Sequence, residues 1–279
     1  MFWTRLLSGA VLLLLSFVFI YFGGYALIAF LLLLSLQAFF EMARVLKLNG
    51  EKKISAISVW GYLGIAVYYG LMAFTDNKLY LVMAVTLTII GFLMVYVFSY
   101  PRVSVEGVSG AVFSYLYAPV MLSFVYLTRE LNFGIYIVWM IYISSWGCDT
   151  LAYCVGMLTG KTIGNHKMTP KLSPKKSIEG AVGGVLGAAL LAWLYGKFVM
   201  GPAVTNIPNL EWMLAIIGAV GGFLSMIGDL AASAIKRNKD IKDYGHCIPG
   251  HGGILDRFDS MIFTAPLTFF LASVLLGVM

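Results

Sequence analysis

Asp256 and Asp259 stand three residues apart at the mouth of the chain's last apolar stretch, just after the run Pro-Gly-His-Gly-Gly at 249–253. On a helix that spacing puts both carboxylates on one face, with Ser260 extending it by a turn and Arg257 pointing elsewhere. Two adjacent carboxylates at a bilayer edge repel unless a cation sits between them. A hard cation with oxygen ligands, Mg²⁺ above all, is the economical partner. Helix capping would account for a single Asp, since acidic groups favour a helix N-terminus, but for the pair metal binding is the preferred reading. Asp229 adds a third carboxylate. Ser225, Asp229 and Ser233 recur every four residues, with Lys236 three further on, a polar stripe through an apolar span that suits a cavity or a partner helix. The plainer account of it is an ion pair between Asp229 and Lys236 or Arg237. Ser145, Asp149 and Tyr153 share another face, as a site wall or as interhelical hydrogen bonding.

The cations are arranged to complement these acids. In Ser-Pro-Lys-Lys-Ser-Ile-Glu-Gly at 173–180, Ser173 and Pro174 mark a turn, Lys175 and Lys176 are adjacent, and Ser177 can cap the helix that follows. Cations beside a helix start suit a polyphosphate; a basic patch resting on anionic lipid is the alternative. Gly250, Gly252 and Gly253 permit positive φ and close backbone approach to a phosphate or a sugar edge. Gly160-Lys161-Thr162 invites a P-loop reading, but Val155 stands where that motif needs its first glycine. Cys148 and Cys154 are six residues apart in an apolar run and Cys247 is alone in a polar loop, so no structural disulfide is expected. His166, His246 and His251 lack paired ligand spacing, and no zinc site is expected.

The elements that position these groups are membrane helices. Of 279 residues, 60% are hydrophobic and only 11% charged, too much apolar surface for a soluble core. Apolar runs fall at 6–22, 24–40, 54–74, 79–100, 108–127, 133–158, 178–199, 211–232 and 258–279, which predicts an all-α polytopic protein of about nine transmembrane helices. No period-two alternation suggests a β-barrel. The first run lacks a small-residue cleavage site and is expected to be a membrane anchor. With a cytoplasmic N-terminus, 16 of the 19 Lys and Arg residues fall inside, Lys52 and Lys53 among them, leaving Lys78, Arg129 and Lys197 outside. The net charge of +6, gathered on one face, suits lipid head groups or a phosphate-rich ligand more than a nucleic acid. Residues 1–130 carry few ionisable groups in their spans and read as scaffold and lipid contact; 131–279 read as a catalytic membrane domain with cytoplasmic loops 159–177 and 233–257.

Carboxylates for a divalent metal, cations for phosphates and a lipid-accessible bundle on one membrane face together suggest phosphoryl or nucleotidyl transfer onto a lipid. From Ser233 to Asp259 the chain resembles the signature of the phosphatidate cytidylyltransferases, the CDP-diacylglycerol synthases. The matching elements are Ser233, Lys236-Arg237, Lys242-Asp243, Pro249-Gly250-His251-Gly252-Gly253, Asp256-Arg257 and Asp259. Asp149, Tyr153, Gly156, Gly160 and Lys161, and the stretch Ser173 to Gly180, resemble that family's upstream segments. The resemblance implies CTP and phosphatidate giving CDP-diacylglycerol and pyrophosphate, at an active site facing the cytoplasm from the cell's inner membrane. It implies Mg²⁺ on Asp229, Asp256 and Asp259, admits K⁺ as a second cation, and admits a homodimer. The site it implies sets Lys175, Lys176, Lys236, Arg237 and Arg257 on triphosphate or head group, orders the phosphates with Ser233, His251, Gly252 and Gly253, and supports the pocket with Asp149. Two other readings compete. A cation-coupled transporter would use Asp149 and Asp229 as coupling sites, but no inverted repeat is visible and the acids lie at the membrane edge. Another lipid-phosphate transferase, of the CDP-alcohol type, would carry a compact run of Asp on consecutive helical turns, which is absent.

Overall fold

The computed structural model describes residues 2–50, 54–162, 164, 166–250 and 252–278, with side chains from residue 7. Lys52, Lys53 and His251 therefore lie outside the described residues. The helices are α1 (Phe2–Phe22), α2 (Gly24–Val45), α3 (Ala56–Phe74), α4 (Leu79–Ser99), α5 (Val105–Arg129), α6 (Gly134–Thr162), α7 (Ile178–Met200), α8 (Leu210–Asn238) and α9 (Leu255–Leu276). Eight of them, α2 to α9, are long and apolar enough to cross a membrane. The protein is an all-α, multi-pass membrane protein. The first of the nine expected spans falls in α1, whose apolar run within the described side chains is Leu7–Phe22. One element was not foreseen in loop 159–177. Strands β1 (Lys167–Thr169) and β2 (Ser173–Ser177) pair antiparallel across a turn closed by the Leu172 N–H on the Thr169 carbonyl, at 3.2 Å.

The chain divides into two compact units. The first holds Met1–Tyr126 and Ile241–Arg257. Gly23 and Gly24, both at positive φ, break the chain between α1 and α2, and Phe19 stacks on Phe30 with ring centroids 4.4 Å apart to close that hairpin. Some of the polar groups inside the unit are paired across helices, as a membrane interior favours. Ser35 meets the Tyr69 hydroxyl at 2.7 Å, and that hydroxyl donates to the Pro119 carbonyl at 3.0 Å. That carbonyl lies in a π-helical turn of α5, Leu116–Val120, which contains Pro119 itself.

The second unit holds Leu127–Asp240 and Phe258–Met279. Here the helices cross on glycine. A Cβ on Gly180 would lie 2.7 Å from the Ala152 carbonyl oxygen, one on Gly184 2.9 Å from that of Cys148, and one on Gly218 2.7 Å from that of Ala188. Backbones this close are the usual consequence of small residues at membrane helix interfaces. They bring α6, α7 and α8 together, and the acidic parts of α6 and α8 with them. Gly228 continues the pattern toward α9, where a Cβ would stand 2.9 Å from the Asp259 carbonyl oxygen.

Candidate active site

In the second unit the hairpin and three helices enclose a cavity of about 470 Å³. Asp149, Tyr153 and Gly156 line it from α6, Lys175 and Lys176 from β2, and Asp229 from α8. Each is placed by a local feature. Asp149, Tyr153 and Gly156 recur at helical spacing; Ser145, expected on the same face, is buried and donates to the Ile141 carbonyl at 2.7 Å. Pro174 lies in β2, whose antiparallel pairing with β1 holds Lys175 and Lys176 beside the start of α7. Ser177 caps that helix, its Oγ accepting from the Gly180 N–H at 3.1 Å, which satisfies one of the donors a helix start leaves over. The Ile178 N–H is taken by the His166 carbonyl at 2.9 Å, and the Glu179 carboxylate holds the His166 ring at 2.6 Å. The hairpin is thereby tied to α7 from both sides.

Asp229 pairs with a lysine that the plainer account did not name. Its Oδ2 lies 2.5 Å from the Lys176 Nζ, across from β2, with both side chains about a quarter exposed (28% and 23%). A helical stripe shows which face a residue occupies, and the neighbour on that face comes from a strand some fifty residues earlier. Asp259, half-buried on α9, lies within electrostatic range of Asp229, Lys236 and Asp149. Ser233 and Lys236 are half-buried near the end of α8, and Arg237 is exposed.

In the first unit, the segment 241–257 folds round a cavity of about 530 Å³, lined by Gly252 and Arg257 together with Lys242, Asp243 and His246. Lys242 and Asp243 belong to the signature stretch; His246 carried no signal of its own. Asp256 lies in the first turn of α9, and its Oδ2 accepts from the Tyr244 N–H at 2.7 Å and the Gly253 N–H at 3.0 Å. The acid therefore reaches back over the turn before its helix, much as capping acids do. Gly252 and Gly253 do permit close approach, and the groups that approach are the protein's own. A Cβ on Gly252 would lie 2.8 Å from Asp256 Oδ2, and one on Gly253 2.4 Å from Glu41 Oε2. Glu41 was missed in the sequence. The apolar run ending at 40 continues as helix to Val45, and Gln37, Glu41 and Arg44 fall on one face at the spacing of successive turns.

Among the described residues no three His, Cys, Asp or Glu side chains form a ready metal cage. Mg²⁺ does not need one: it retains waters and is held by one or two carboxylates together with substrate phosphates. Asp149 and Asp229, which both line the second unit's cavity, offer oxygen ligands that fit that mode.

The family signature of the cytidylyltransferases, described as "Cytidylyltransferase family", matches residues 3–275. A phosphatidate cytidylyltransferase of Staphylococcus saprophyticus is 32% identical over 88% of this chain and 89% of its own length. One of Synechocystis is 36% identical over 48% of this chain, and an uncharacterized Escherichia coli protein, YnbB, is 36% identical over 40%. Those two alignments span 42% and 36% of the relatives' own lengths, less than half of each. The chain belongs to the cytidylyltransferase family.

Proposed function

We propose that this protein is a phosphatidate cytidylyltransferase, transferring the cytidylyl group of CTP to phosphatidate with release of pyrophosphate. The observation that carries the reading is the cavity in the second unit, where two lysines and two aspartates meet between apolar helices. A phosphomonoester has a second pKa of about 6 and is largely dianionic at neutral pH. Its oxygen therefore attacks the α-phosphorus without a strong general base. The new P–O bond forms as the bond to the β-phosphate breaks, and pyrophosphate leaves with that electron pair. Lys175, Lys176, Lys236, Arg237 and Arg257 bind the triphosphate or the head group, and Ser233, His251, Gly252 and Gly253 order the phosphates. Asp149 supports the pocket wall. Asp229, Asp256 and Asp259 supply carboxylates for Mg²⁺, with K⁺ as a second cation. When bound, Mg²⁺ neutralises charge on the leaving pyrophosphate. The active site faces the cytoplasm from the inner membrane, the N-terminus lies on the same side, and the enzyme works as a homodimer.

Purified protein supplied with phosphatidate, Mg²⁺ and CTP labelled at either the α- or the γ-phosphate tests the reaction. The α-label should pass into lipid and the γ-label into pyrophosphate. Absence of lipid labelling with verified substrates would overturn the assignment.

A further inference from the structure

Glu41 has no part in the transfer chemistry just described, yet it is a fully buried carboxylate on a membrane helix. Such a group is costly unless every lone pair finds a donor. Its two oxygens divide between consecutive peptides: the Ile254 N–H donates to Oε1 and the Leu255 N–H to Oε2, each at 3.0 Å. Gln37, one turn earlier on α2, donates to Oε1 at 3.0 Å. Arg44, one turn later, donates through Nη2 to the Tyr244 carbonyl. α2 thus grips the segment 241–257 near its beginning at Tyr244 and near its end at Ile254 and Leu255.

The grip bears directly on Asp256. The two peptides that donate to its Oδ2 are those of Tyr244 and Gly253. Tyr244 is held through its carbonyl by Arg44, and Gly253 adjoins Ile254, held by Glu41. The glycines of the segment follow from the same arrangement. A Cβ at Gly253 would fall 2.4 Å from Glu41 Oε2, and one at Gly245 2.6 Å from Oε1. Glu41 also fills a need that a local residue could have met. The first N–H groups of α9 require acceptors, and a Ser or Asn at the helix start would supply one. Using an acid from α2 instead ties the setting of the Asp256 carboxylate to a helix more than two hundred residues away in sequence.

We propose that Glu41, together with Arg44, is a positioning residue of the transfer reaction: α2 sets the orientation of Asp256 toward the reacting phosphates. This rests on the role given to Asp256 above.

Glu41→Gln keeps the shape but offers an amide NH₂ to one of the two backbone donors; Arg44→Lys keeps the charge and loses the reach to Tyr244. Both should be purified beside the parent protein and compared by thermal melting, steady-state kinetics and amide exchange of the 244–257 segment. Each should exchange that segment faster and lower kcat about 10- to 100-fold, the usual scale for groups that orient a ligating side chain. KM for CTP and for phosphatidate should stay within about threefold, and Glu41→Asp, which retains the carboxylate, should recover part of kcat. A purely structural role predicts instead a lower melting temperature with normal kcat per folded molecule, and that result overturns the proposal. So does faster exchange without loss of kcat. Should Glu41→Gln fail to fold, Arg44→Lys decides by the same readouts. A parent protein that transfers no cytidylyl group would refute the assigned reaction, whereas an active parent with unimpaired variants refutes only the positioning role.

Discussion

Lys176→Met removes one ammonium from the second unit's cavity while keeping most of the side chain's bulk. The ionisable residues lining that cavity are Asp149, Asp229, Lys175 and Lys176, formally neutral as a set, so the substitution leaves them at −1. Two losses follow for a bound phosphate. A hydrogen bond to a charged group contributes about 1.5–3 kcal/mol. The Asp229 carboxylate, whose partner stood 2.5 Å away, then repels a phosphate oxygen by about 1–3 kcal/mol at ~5 Å, between surface-like and water-like dielectric. The two overlap and together come to about 3–4 kcal/mol, on the order of 10²–10³-fold in kcat/KM. Transfer of α-label from CTP to phosphatidate measures it, with Lys176→Arg retaining most activity. The double variant Lys176→Met/Asp229→Asn sharpens the test, because it restores neutrality without restoring either group. If both residues serve the reaction, it stays at least as impaired as Lys176→Met. A single variant within about threefold of the parent, or a double variant that recovers, would show the pair to be an ordinary ion pair and refute the reasoning.

Three other outcomes are expected. Asp256→Asn and Asp259→Asn should each lower turnover by roughly 10²-fold or more in protein that still inserts and melts normally, and chelation should abolish parent activity until Mg²⁺ is restored; near-normal activity in both variants removes the metal role. Gly180→Val should lower the melting temperature, since its Cβ would meet the Ala152 carbonyl at 2.7 Å and backbone cannot give way cheaply, a penalty of about 1–3 kcal/mol; an unchanged melting curve would mean that α6 and α7 do not pack at that glycine. Cys247 is the exposed one of the three cysteines, so a membrane-impermeant maleimide should label it in inside-out vesicles and leave it untouched in right-side-out ones; the reverse pattern inverts the topology.

Hydropathy revealed α2 to α9 because each must match the bilayer, but it drew several of them too short. The runs read at 133–158 and 211–232 are helices at Gly134–Thr162 and Leu210–Asn238, because helical hydrogen bonding continues after lipid contact stops. Asp149, Asp229 and Lys176 could be picked out from charge in apolar surroundings, and the cavity does unite them. Their pairing could not be, since Lys176 reaches Asp229 only through the hairpin's register. Glu41 escaped notice for a related reason: its partners Ile254 and Leu255 lie 213 and 214 positions along the chain and offer only backbone, which leaves no mark on composition or spacing.

Under the proposed function, the length of α8 bears on where a lipid would react. Its 29 residues extend about 43 Å, some 13 Å more than the hydrocarbon they cross. The surplus turns are a rigid mast, and Ser233 and Lys236 are mounted near its top instead of on a swinging loop. On the proposed function, a thicker or thinner membrane, by shifting or tilting the helix, would raise or lower the plane in which Ser233 and Lys236 meet a head group.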